Sequence, residues 1–130
     1  MHGLKTMTSE FSVSEAVSRM AAQIEREDWH LFARIDHAKE ASGKGLELRP
    51  TELILFGNPM IGTLLMQCQQ ISAIDLPMKV LAWEDEDGRV HLTYNDPKWL
   101  KERFGLTDNE TINKIAKVVE KVCLAGSQKQ

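Results

Sequence analysis

Apolar residues along this chain follow two periods, and the places where the period changes mark its elements. Ser12 and Glu15 open a run in which Val13, Val17, Met20, Ala21 and Ile24 recur at helical spacing. This predicts a helix with one face on a core, because the serine and the glutamate can each satisfy a backbone donor left free by the first turn. Over residues 29–36 the period drops to two, with Trp29, Leu31, Ala33 and Ile35 on one side, as in a strand with one buried face. Residues 37–45 are short and rich in small side chains, and read as a helical turn followed by a loop. Leu53-Ile54-Leu55-Phe56 then runs apolar without alternation, the mark of a central strand covered on both faces.

Asn58-Pro59 is a helix start, since asparagine caps free donors and proline at the first helical position lacks one and has its φ already set. A helix over residues 59–70 follows, and Met60, Ile61, Leu64, Leu65, Cys68 and Ile71 give it so broad an apolar stripe that it is expected to be the most enclosed helix. Two antiparallel strands flank the acidic turn at Asp87-Gly88. Asp96-Pro97 starts a helix ending near Gly105, and Thr107 with Glu110 has the spacing of a second capping box, for a last helix reaching Gly126. Residues 4–11 offer a first edge strand, and residues 127–130 are expected to fray. The order predicts one α+β domain over residues 1–130, with an antiparallel sheet backed by helices and its core at about 11–125.

Composition narrows the partners. With 130 residues, 42% hydrophobic and 27% charged, the chain suits one globular domain. A formal charge of −3 provides no positive field for a phosphate backbone, so no nucleic-acid partner is expected. No stretch approaches the ~20 apolar residues of a membrane span, and the start lacks the apolar run of a signal peptide; no membrane partner and a cytoplasmic location are expected. Cys68 and Cys123 both fall at apolar helical positions and read as buried small hydrophobes, with no disulfide expected.

Several separated segments share one resemblance. Ile35-Asp36-His37-Ala38, the run from Gly45 through Leu48-Arg49-Pro50-Thr51-Glu52, and Phe56-Gly57-Asn58-Pro59 with Gly62-Thr63 and Met66 resemble the domain of unknown function 302 family. So do Leu76-Pro77-Met78-Lys79, Tyr94 and Asp96-Pro97. The resemblance implies a small α+β fold of the TT1751-like type and no established activity. Relatives often carry histidine where this chain has Phe104, so a function needing that imidazole is in doubt here.

Candidate chemistry falls at the ends of elements. Gly57 and Asn58 precede a helix start whose free N–H groups suit an anion, and Thr63 could add a hydroxyl; the plainer alternative is that Asn58 only caps the helix. Asp36-His37 could serve as an acid/base pair if the chain turns between them, or as an ordinary cap. Arg49, Glu52, Lys79 and Tyr94 also stand at strand ends, where pockets form. His30 and His91 suggest metal ligands facing one another across strands, without a third ligand, and solvent-facing histidines are the plainer reading. The acidic turn around Asp85 and Asp87 invites calcium but lacks the glycine spacing of the helix-loop-helix site. Met60, Met66 and Met78 with Trp83 and Trp99 suggest an apolar pocket or a haem site, or simply core. The expectation is therefore a non-enzymatic module for a small, anionic ligand, with no resident cofactor or metal. Homodimerisation through a sheet edge or hairpin is expected as well. An Asp36-His37 enzyme and a metal or haem carrier are the alternatives.

Overall fold

The apolar run at the middle of the chain becomes the second-last strand of a sheet. In the computed structural model, which describes residues 1–129, β1 (Leu4–Ser9), β2 (His30–Asp36), β3 (Thr51–Gly57), β4 (Met78–Glu84) and β5 (Val90–Asn95) pair antiparallel in the order β1-β5-β4-β3-β2. The helices are α1 (Val13–Arg26), α2 (His37–Ser42), α3 (Pro59–Cys68), α4 (Pro97–Phe104) and α5 (Asn109–Ser127), and a 3-10 turn spans Gln70–Asp75. The α+β class and the edge position of β1 follow the sequence pattern.

Period-two alternation puts Ile54, Phe56, Val80, Ala82 and Leu92 on one face, where all are fully buried. Val17, Met20 and Ile24 of α1, with Ile115, Val119 and Val122 of α5, complete that core. The two helices cross closely at Gly126, where an added Cβ would lie 2.6 Å from Met20 Cγ and 3.0 Å from the Ala16 carbonyl. Among the described residues no helix is long and apolar enough to cross a membrane.

Several expectations are corrected. The helix after Asn58 is not the most enclosed: Leu65 is its buried residue, whereas Met60 is 80% exposed, and Ile71, beyond its end, is 65% exposed. It packs against the 3-10 turn and α5, so Met60, Leu64, Cys68 and Ile71 of its apolar stripe face outward. Residues 29–36 do not keep one face, because a bulge at Phe32 pairs Leu31 with Phe56 and Ala33 with Leu55. An extra residue in a strand of period two sends the side chains on either side of it to opposite faces. Cys68 is exposed and Cys123 buried.

Of the first capping box, only the Ser12 half forms. Ser12 Oγ accepts from the Glu15 N–H at 3.2 Å, but the Glu15 carboxylate turns to Arg19 at 2.9 Å. At α5 the cap is Asp108, whose carboxylate accepts from both the N–H and the hydroxyl of Thr111, so the start shifts by one residue from Thr107. The expected fraying also stops short: Ser127 donates its hydroxyl to the Thr8 carbonyl, and the Lys129 N–H donates to Glu10. The part of that expectation falling on Gln130 lies outside the described residues.

Candidate functional site

The polar residues singled out above do not meet in one place. Asp36 pairs in register with Glu52 at the beginning of β3, and Asn58 follows its end. Six residues of extended chain separate the two places by roughly 20 Å. At the first end, Asp36 Oδ1 accepts from the Lys39 N–H at 2.9 Å and caps α2, while His37 begins that helix as an exposed residue. Arg49 donates to the Glu84 carbonyl at 3.2 Å. Glu52 is buried beneath Arg34, which donates to it at 2.8 Å and reaches on to Ser18 and the Ser14 carbonyl of α1. These are contacts that tie β2 and β3 to α1.

At the second end, Asn58 Oδ1 accepts from the N–H groups of Met60 and Ile61 at 3.0 and 3.4 Å, so the donors that would meet an anion are already engaged. Thr63 donates to the Pro59 carbonyl, and Lys79 to the Pro77 carbonyl at 3.2 Å. Tyr94 lies on the core face of β5, where burial raises its phenol to about 12. Asn58 and Gly57 line one cavity, Tyr94 another, Arg49 a third, and Asp36 with Glu52 a fourth.

The proposed metal and haem groupings also come apart. His30 stands on β2 and His91 on β5, with β3 and β4 between them. His30 packs edge-on against Phe32 with 4.5 Å between ring centroids, and His91 Nε2 lies 2.7 Å from Asp85 Oδ2. Asp85 Oδ1 accepts from the Asp87 and Arg89 N–H groups at 2.9 Å, so this carboxylate closes the turn internally. Its pKa is held below the ordinary value, chiefly by the hydrogen bond to His91 and then by the one from Arg89. Among the described residues no group of three or more metal-ligating side chains converges.

A different feature surrounds Asn58. The bulge at Phe32, the Gly57-Asn58-Pro59 corner, the inner side of α3 and the approach to β4 border a half-open cavity of about 220 Å³. Phe32 and Trp29 form one wall, Met66 and Ile61 a second, and Pro77 with Met78 a third, with Ile115 of α5 also lining it. Gly62 opens the α3 side, since a Cβ there would come no nearer than 4.0 Å to the Met66 methyl. The lining includes no titratable side chain; its polar groups are the Asn58 amide, the Trp29 indole N–H and the backbone. Such a place can hold an apolar group and orient it by one or two hydrogen bonds, but it has no acid, base or nucleophile.

Of this lining, the sequence singles out Gly57 and Asn58 for an anion site and Met66 and Met78 for a separate apolar pocket or haem site, and leaves out Trp29, Phe32 and Pro77. Its grouping of Met60, Trp83 and Trp99 with the methionines does not hold, because Met60 faces outward and neither tryptophan lines the cavity. The missed signal was Phe32 breaking the alternation of β2. An aromatic residue at a bulge is placed against whatever lies beyond the strand.

A five-stranded antiparallel sheet backed by helices, of α+β type, defines the class. The chain belongs to the family described as domain of unknown function DUF302, whose pattern matches residues 5–122. A crystal structure of an uncharacterized conserved DUF302 protein from Bacillus stearothermophilus superposes with a TM-score of 0.83 over 96% of this chain and 98% of that one, at 15% identity, and so shares the fold. Over 104 residues the chain is 49% identical to proteins from Brucella suis and Brucella abortus, each named fluoride-specific ion channel FluC 1. Those matches take in 80% of this chain but 41% and 38% of the relatives, so the chain spans about two-fifths of their length.

Proposed function

We propose that this domain is a non-enzymatic binding module that takes a small apolar or aromatic group in the cavity between Asn58 and Pro77. The observation that supports this most is the lining: a concave space of about 220 Å³ walled by aromatic, proline and methionine side chains without a titratable group. Apolar cavities of roughly 150 Å³ accept benzene, so this space suits a ring of that size or somewhat larger. Asn58 Oδ1 is committed to the helix start, which leaves its amide N–H groups to donate to an acceptor on the ligand rim. This chemistry replaces the anionic ligand expected from the sequence, because the N–H groups that would recognise an anion are capped.

An Asp36-His37 acid/base role has less support, since the Asp36 carboxylate caps α2 and lies at the far end of β3 from the cavity. The name carried by the Brucella relatives belongs to proteins more than twice as long as the matched stretch. We read the shared part as a binding module within them. The free thiols of Cys68 and Cys123 fit a reducing, cytoplasmic setting.

Thermal unfolding with a panel of small aromatic and aliphatic compounds, alongside phosphate and carboxylates, tests the reading. A ligand at 100 times its Kd adds about 2.7 kcal/mol and raises the melting temperature. The gain should come from apolar compounds and disappear in Gly62→Leu, which has room to fill the cavity. Stabilisation by anions alone, or by apolar compounds equally in Gly62→Leu, would contradict it.

A further inference from the structure

The edge of the sheet at β1 borders a second cleft, and this one is polar. Lys5, Met7 and Ser9 alternate along the core side of β1, and Lys5 pairs in register with Tyr94 of β5. A lysine at the end of that row does not close over the core, and its side chain is 58% exposed. On α5, Ala116, Glu120 and Leu124 recur every fourth residue and present one stripe to the same edge. Between this stripe, β1 and the start of α4 at Pro97 lies a cleft of about 440 Å³, which shares no lining residue with the cavity beside Asn58.

The buried polar member of the lining is Tyr94, 8% exposed. Its hydroxyl has no hydrogen-bond partner among the described residues and is not one of the sealed polar atoms, so it opens into the cleft. A phenol at such a depth ordinarily finds a partner. Burial first, and then the Cys123, Glu120 and Asp96 groups around it, keep the phenol protonated far above neutral pH. It therefore offers one donor and the lone pairs of its oxygen.

The charged groups nearby divide into paired and unpaired. Asp96 Oδ1 accepts from the Lys98 N–H at 3.0 Å, and its Oδ2 lies 3.9 Å from Lys5 Nζ. Among the described residues the Glu120 carboxylate and the Lys98 ammonium make no ion pair, and Lys121, next to Glu120 on α5, turns to Glu27 at 3.6 Å. One unpaired anion, one unpaired cation and one buried hydroxyl thus face the same space. A simple anion would meet Glu120 and Asp96 there. The N–H groups at the start of α4 are taken as well, that of Lys98 by the Asp96 carboxylate and that of Trp99 by the Asp96 carbonyl at 2.9 Å. A simple cation would meet Lys5 and Lys98.

We infer that this cleft takes a small zwitterion, an amino acid whose ammonium group lies against Glu120 and the Tyr94 oxygen and whose carboxylate lies against Lys98 and Lys5. Lys5 and Lys98 balance Asp96 and Glu120, so a ligand without net charge leaves that balance intact. Each charged end of the ligand finds an opposite charge, and the buried hydroxyl gains the hydrogen bond it lacks. The site is independent of the apolar cavity.

Tyr94 is the single tyrosine of the chain, so ring-labelled tyrosine gives one reporter inside the cleft. Its resonances are followed during titration of the full chain with glycine, 4-aminobutyrate and 6-aminohexanoate, each beside the amine and the acid of matching length. At least one of the amino acids should shift the Tyr94 ring saturably, and its matching amine and acid should bind at least roughly tenfold more weakly, since each lacks one charged contact. Glu120→Gln and Lys98→Gln, both at exposed positions, should remain folded by circular dichroism and each weaken that amino acid by roughly tenfold or more. Gly62→Leu should leave the binding unchanged. No saturable shift with any of the three, an amine or an acid that binds as tightly as the amino acid, or unaltered affinity in Glu120→Gln or Lys98→Gln would each overturn the inference, as would loss of binding in Gly62→Leu.

Discussion

Cys123 shows how one position decides a side chain's chemistry. It is fully buried on α5 against the core, and burial pushes its thiol up to about 12 from an ordinary 9.0, while Tyr94 nearby rises to about 12 from 10.0. Both groups are neutral when protonated, so a raised folded-state value means that the stabilisation is complete below the ordinary value and is lost as pH climbs through the folded one. The melting temperature should thus fall between pH 9 and 12, and the fall should be shallower in Cys123→Ala. An unchanged alkaline slope in that variant would contradict the burial account. Cys68 sits at a similar apolar-patterned position and ends exposed, 3.8 Å from the Thr107 hydroxyl. Sequence pattern placed both thiols on a helical face, and only packing told which face had a neighbour.

At the scale of elements, signals that act within one turn of chain were legible and those that depend on a neighbour were not. Asn58, Asp96 and Ser12 cap the helices that follow them, as their side-chain chemistry requires. The acidic turn closes β4 onto β5 because Asp85 accepts from the residues beyond it. By contrast, the enclosure of α3 depended on what lies outside it, and the bulge at Phe32 on how β2 meets β3. The cap carries a prediction. Asn58→Ala should cost about 1 kcal/mol, and Asn58→Asp, which keeps an acceptor, should cost little. For a domain of this size that corresponds to roughly 4 °C in melting temperature, measured without added ligand. Equal stability of the alanine and aspartate variants would show that the Asn58 contacts to Met60 and Ile61 contribute nothing.

Across the whole molecule, the α+β architecture could be read from the order of elements, and the family from motifs spread along the chain. The cavity proposed to bind a ligand could not, because the polar residues that attracted notice are those that sequence makes conspicuous. Arg49, Glu52 and Lys79 are engaged in ordinary structural contacts, and Asp36 and Asn58 in caps. The cavity instead depends on Trp29, Phe32 and Pro77, which share no spacing and are assembled by a strand bulge and a helix start. Apolar residues at unrelated positions carry no pattern that distinguishes a lining from a core.

The methionines allow the central claim to be tested within one sample. Met66 and Met78 line the cavity, Met20 is buried between α1 and α5, and Met60 is 80% exposed on the outer side of α3. Methyl resonances of methionine-labelled protein, followed during titration with indole, report on all four places at once. A ligand held between Asn58 and Pro77 should shift Met66 and Met78 saturably and leave Met20 and Met60 in place. Saturation without movement of Met66 and Met78, or shifts confined to Met60, would contradict the account.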